Sequence, residues 1–185
     1  MSIHPGPQTD PPQSKKGEGV KLALASGALL LTVMLLLLFV LAEAANAQTR
    51  TNDNVLMSEN EGARKFQENW GFSDAVTSGG TIYLSGIVAG LRQGDTDVAG
   101  AYDRVYRQIG SILKRAGASW DDVVDLTSFH TDVEGQIETM AGVHKRYVKA
   151  PYPAWTAIGV AKVLGGGITE IKVTARRPAG APASR

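Results

Sequence analysis

The sequence predicts one small α+β domain behind an apolar leader, and three observations carry that reading. An uncharged, strongly apolar run, Leu22–Ala42, is followed from Gln48 by residues of ordinary globular character. Two stretches of that later segment repeat apolar residues at three- and four-residue steps, the period of a helix packed on one side. Short β-prone runs flank both helices, several with alternating side chains and glycine at their ends. The expected order is β-β-α-β-α-β-β, a mixed sheet with two helices on one face.

Composition narrows the function. The 185 residues are 43% hydrophobic and 20% charged, with a formal net charge of +1. Three basic and three acidic residues precede Gln48, so the remainder keeps the same balance. That is no nucleic-acid binder's profile, because neutralising phosphates takes concentrated Lys and Arg. There is no cysteine, which excludes disulfides, thiolate catalysis and cysteine-ligated zinc and leaves an oxidising compartment harmless.

Residues 1–47 read as a polar leader followed by an export segment. Lys15, Lys16 and Lys21 form a basic flank, the apolar run follows, and Ala45-Asn46-Ala47 supplies the small residues of a cleavage site. Together these are the grammar of a secretory signal. The run is also long enough, at about 20 residues, to stay as a membrane anchor. Basic residues ahead of it place the domain outside in either case. The expected location is therefore periplasmic or secreted, or membrane-anchored with the domain outside, and any membrane contact would run through Leu22–Ala42.

Residues 48–69 read as a linker with helical content near Glu61–Gln67. Ala75–Ser78 and Thr81–Ser85 flank Gly79-Gly80 as a hairpin. Gly86, Gly90 and Gly94 punctuate a loop. Asp97–Ala116 is a helix whose stripe is Val98, Ala101, Tyr102, Val105, Ile109, Ile112 and Leu113; Lys114 and Arg115 suit its C-terminal dipole end, and Gly117 its cap. A turn at Ser119–Asp122 leads into a strand, Val123–Thr131. A second helix covers Gln136–Val148, and Pro151 and Pro153 stop it. Trp155–Val160 and Ile168–Ala175 are strands around a Gly165–Gly167 turn. Residues 179–185 read as a disordered tail, leaving 70–178 as the domain.

Four short motifs then carry a family resemblance. Phe72-Ser73-Asp74-Ala75-Val76, Tyr83-Leu84-Ser85-Gly86, Pro153-Ala154-Trp155-Thr156 and Glu170-Ile171-Lys172 are similar, in order and spacing, to motifs of the Rid (YjgF-like) enamine/imine deaminases. The resemblance implies a chorismate mutase-like α+β fold and a homotrimer with clefts between subunits that bind a small molecule. It implies hydrolysis of reactive enamines and imines, 2-imino acids becoming 2-oxo acids and ammonia, with no metal or organic cofactor.

On the matched positions Glu170 is the catalytic carboxylate, and Ser85, Phe72, Trp155 and Thr156 line the cleft. Trp155 stands where the family carries a substrate-binding arginine, and Phe72 where it carries a tyrosine. Indole cannot form the bidentate pair that guanidinium makes with a carboxylate. An atypical, flatter or more apolar substrate follows, and two rivals stay open: a binding trimer without turnover, and a different hydrolase acting on a neutral or aromatic ligand. His130 and His144 show no metal-ligand spacing. Gly165–Gly167 precedes a strand, so it lacks the helix N-terminus that a phosphate loop needs.

Overall fold

The structure, a computed structural model, describes residues 32–37 and 50–180. The chain forms two compact units, 1–47 and 48–185. In the first, residues 32–37 are helical and exposed. The rest of the expected export segment lies outside the described residues, as do residues 181–185. No helix among the described residues is long and apolar enough to cross a membrane.

The second unit opens with β1 (Val55–Leu56) and α1 (Glu61–Trp70), both inside the stretch read as a linker. The polar sequence hid them because β1 has only two residues and α1 buries only Gln67. Polar ties hold α1 in place. Asn60 caps it by accepting from the Ala63 N–H at 3.0 Å. Gln67 accepts from the Ser58 N–H at 2.8 Å and donates to Asp74 at 2.6 Å. Gly71, at φ 73°, takes the left-handed turn that ends α1 and that a side chain would disfavour.

The hairpin β2 (Ala75–Ser78) and β3 (Thr81–Leu84) forms as expected, with Gly79 and Gly80 both at positive φ. The expected glycine-punctuated loop contains β4 (Ile87–Ala89), too short to show a period. Helix α2 (Val98–Arg115) is capped by Asp97, which accepts from the Gly100 N–H at 2.8 Å. It buries the expected stripe from Ala101 onward and also Tyr106, with Val98 half-buried at its start. A short 3-10 turn, Trp120–Asp122, precedes β5 (Val123–His130). Helix α3 (Val133–Tyr147) starts three residues earlier than expected because Asp132, not a residue further on, accepts from the Gly135 N–H. β6 (Ala154–Gly159) and β7 (Thr169–Arg176) complete the chain, with another 3-10 turn at Leu164–Gly166.

The sheet runs β1-β2-β3-β7-β5-β6, with β4 also paired to β7. Only β5 and β6 are parallel. Side chains alternate faces along each strand, and the buried set Ile82, Leu84, Leu126, Ser128, His130, Ile171 and Val173 faces the α2–α3 layer. The opposite face carries Tyr83, Thr127, Phe129, Thr156, Ile158, Glu170 and Lys172, all half-buried or exposed. This is the predicted α+β architecture, one sheet with its two long helices on one face.

Candidate functional site

Both β3 and β4 lie against the same edge of β7, and the register slips between them. From Tyr83↔Thr174 to Ile87↔Ile171 the β3–β4 side advances four residues while β7 advances three. The extra residue makes a β-bulge at Ser85-Gly86, a device that breaks pairing and re-aims side chains. Opposite it stands Glu170. A Cβ on Gly86 would lie 1.8 Å from Glu170 Oε1 and 2.7 Å from its Cδ. The carboxylate therefore rests on bare backbone, and no hydrogen bond or ion pair from another described residue engages it.

Ser85 locks the bulge. Its N–H donates to the Asp74 carbonyl at 3.0 Å, and its hydroxyl donates to the Ser73 carbonyl at 2.6 Å. With its proton committed, the hydroxyl meets a ligand only as an acceptor. Asp74 itself is fully occupied by Gln67 and by Arg115, whose Nη1 lies 2.9 Å away. Arg115 also reaches the Met57 carbonyl. This half-buried ion pair joins the ends of α1 and α2 to the start of β2 and fixes the bulge from behind.

Phe72 leaves the α1 turn half-open and meets Phe66 edge-on, with centroids 5.9 Å apart. Phe66 in turn lies 5.2 Å from Trp70. Beside the bulge is a cavity of about 260 Å³ lined by Phe66, Phe72, Ser85, Gly86 and Val88, among others. A larger concavity, about 910 Å³, lies against β1 and shares Phe72.

Trp155 and Thr156 lie elsewhere. Trp155 pairs in register with buried Leu126, so it points to the helix layer. There its indole N–H donates to Ser128 Oγ at 2.9 Å, and its ring stacks on His144 at 4.8 Å. Thr156 pairs with Thr127 on the open face and is exposed. One protomer thus gathers Glu170, Ser85 and Phe72 around the bulge and sets Trp155 and Thr156 apart on β6, the edge strand.

Behind Trp155 runs a buried polar chain. His130 Nε2 lies 2.8 Å from Ser128 Oγ, His130 Nδ1 lies 3.2 Å from Thr169 Oγ1, and Thr169 Oγ1 lies 2.8 Å from the Tyr102 hydroxyl. Ser128, His130 and Thr169 have no exposed surface, so this serine–histidine pair holds structure and meets no substrate. The Tyr106 hydroxyl lies 3.0 Å from His144 Nδ1. Burial lowers the pKa of both histidines and raises those of Tyr102 and Tyr106. Trp155 stacks on a His144 ring whose charging is disfavoured by burial. Sequence motifs pointed to Glu170 and Ser85; the cavity beside Ser85 is also lined by Phe66, which lay in the supposed linker, and by Gln108, an exposed residue of α2.

This fold, a mixed sheet with two long helices on one face, defines an α+β class to which known proteins correspond. The chain belongs to the endoribonuclease L-PSP family, the YjgF/Rid group, whose family model matches residues 63–177. It is 38% identical over 110 residues to the RutC family protein YjgH of Escherichia coli, covering 58% of this chain and 83% of that one. It is 33% identical over 108 residues to a Bos taurus protein named 2-iminobutanoate/2-iminopropanoate deaminase, covering 56% of this chain and 78% of that one. Among solved structures, the protein YjgH aligns with a TM-score of 0.57 at 33% identity, over 68% of this chain and 95% of that one. A Mycobacterium tuberculosis member of the YjgF/YER057c/UK114 family aligns at 0.56 and 25% identity, over 66% of this chain and 97% of that one.

Proposed function

We propose that this protein hydrolyses small reactive enamines and imines. The observation that carries the proposal is the Glu170 carboxylate, laid on Gly86 at the bulge and left free to accept from water. Water held by Glu170 adds to the iminium carbon, and Glu170 takes its proton, as a positioned general base does. Glu170 then returns that proton to the nitrogen, and collapse of the adduct breaks the C–N bond with ammonia as the leaving group. One iminium and one water give one carbonyl compound and one ammonium ion, with no net oxidation and no need of a metal or organic cofactor. The curated relatives named as iminobutanoate/iminopropanoate deaminases support this class of reaction.

The cleft is formed between subunits of a homotrimer. The edge strand β6 of a neighbour, which carries Trp155 and Thr156, then closes the cleft beside Glu170, Ser85 and Phe72 of one protomer. Trp155, tied to Ser128 and His144, offers no cation for a substrate carboxylate. The substrate is accordingly atypical, held less by charge than by shape and apolar contact. The same observation favours a second reading, a trimer that captures a small molecule without turnover. We place the domain outside the membrane, following the basic flank, apolar run and small-residue site of residues 15–47.

The test is the decay of imines freshly generated by an amino-acid oxidase, followed against the spontaneous rate with the full chain and with Glu170→Gln. Faster decay that falls by about a hundredfold or more in Glu170→Gln is the expected outcome for a lost general base. Binding of the oxo-acid product without any acceleration would replace the deaminase with the capture module.

A further inference from the structure

The cavity beside the bulge has features that the hydrolysis itself does not use. It holds about 260 Å³, ample for a phenyl ring, since an apolar cavity of about 150 Å³ takes up benzene. Its walls are mixed: Ala63 and Phe66 of α1, Phe72, Ile87, Val88 and Ile112 supply the apolar surface, and Ser58, Gln67, Asp74, Ser85 and Gln108 supply the polar surface. No lysine, arginine or histidine lines it. Its carboxylate, Asp74, is already spent on Arg115 and Gln67. Phe66 and Phe72 each leave well over a third of their surface open, at 45% and 39%, and meet edge-on at 5.9 Å. Open aromatic surface over a concavity is characteristic of small-ligand sites. Gly86 joins the two features, because it lines this cavity and carries the Glu170 carboxylate against its Cα.

We infer that this cavity is the side-chain pocket of the reaction, and that it selects imines and enamines bearing an aromatic or bulky apolar group. The group lies against the open surfaces of the Phe66–Phe72 pair, while the C=N carbon stays over Gly86 within reach of water on Glu170. Aromatic faces and edges of the two phenylalanines suit a third ring. This assignment rests on Glu170 acting on an imine, and it adds Ala63, Phe66 and Gln108 as residues that set substrate choice.

The experiment compares kcat/KM of the full-length chain for imines made in situ from phenylalanine, leucine and alanine, and repeats it with Ala63→Phe. Ala63 is exposed on α1, so the larger side chain can fill the pocket with little disturbance to the core. The wild-type chain is expected to favour the phenylalanine imine over the alanine imine by about tenfold or more, as added apolar groups do in a fitted pocket. Ala63→Phe should collapse that ratio towards one. An unchanged ratio in folded Ala63→Phe, or a wild-type preference for the alanine imine, overturns the assignment. Calorimetric titration with phenylpyruvate and with pyruvate separates the pocket from the chemistry. Tighter binding of phenylpyruvate that Ala63→Phe abolishes, without any turnover, keeps the pocket and refutes the deaminase. Equal binding of both acids refutes the pocket even if turnover is found.

Discussion

At Gly86 a single methyl group would compete with Glu170 for the same space, since the added Cβ would fall 1.8 Å from Oε1 and 2.9 Å from Cγ. Gly86 does not adopt positive φ, so its lack of a side chain is required by this approach and not by backbone conformation. Gly86→Ala should push the Glu170 side chain into another rotamer at a cost of about 1 kcal/mol. Truncating the intruding group should remove most of that cost, so on a Glu170→Ala background the same change should be close to neutral. Denaturant midpoints of the four proteins check this, and equal costs on both backgrounds would show that the carboxylate does not lie there. Short motifs made Ser85 and Glu170 legible in the sequence. The bulge between them was not legible, because it depends on how two separate strands register against β7. Trp155 shows the same limit: its replacement of an arginine was visible, but its lock on Ser128 and His144 is a tertiary fact.

Among the elements, the β5–α3 layer carries a titration consequence. His130 on β5 and His144 on α3 both have pKa values pushed below the ordinary 6.5, chiefly by burial. The unfolded chain then binds more protons than the native one as pH falls through that value, so stability must fall with it. The contribution of the two neutral imidazoles is whole above about pH 6.5 and is lost progressively as pH drops towards their depressed native values. Melting temperatures measured between about pH 7.5 and 5 should decline, and a folded His144→Gln variant should decline less steeply. A profile identical in both would assign the loss to other groups. Asp103 belongs to a lower window, since the Tyr147 hydroxyl first, and then Arg107 and Arg146, hold its pKa below the ordinary 3.8. The long elements were readable because periodicity survives over several turns, as in α2. α1 and β4 were not: one is held by polar caps and ties, the other is three residues long.

For the whole molecule, the two separated groups of site residues make assembly testable. Sedimentation equilibrium of the full chain in mild detergent should give three times the protomer mass of 19.6 kDa if residues 1–47 are retained, and a correspondingly smaller trimer if they are removed. A monomer that still hydrolyses imines would show that Trp155 and Thr156 stand outside the cleft. The open sheet face carries Phe129 and Ile158 beside Thr127 and Thr156; which copy meets it lies beyond a single chain's pattern.

The bulge has a practical consequence for anyone who wishes to redirect this scaffold. Positions 63, 66 and 108 lie on solvent-facing turns of α1 and α2, where randomised side chains leave the hydrophobic interior undisturbed. Position 86 is different, because every residue other than glycine displaces the Glu170 carboxylate from its place against the backbone. A combinatorial library built on the proposed reaction should therefore diversify the two helical walls and hold the glycine constant, so that the lining of the cavity is varied while the Glu170 carboxylate keeps its place on Gly86.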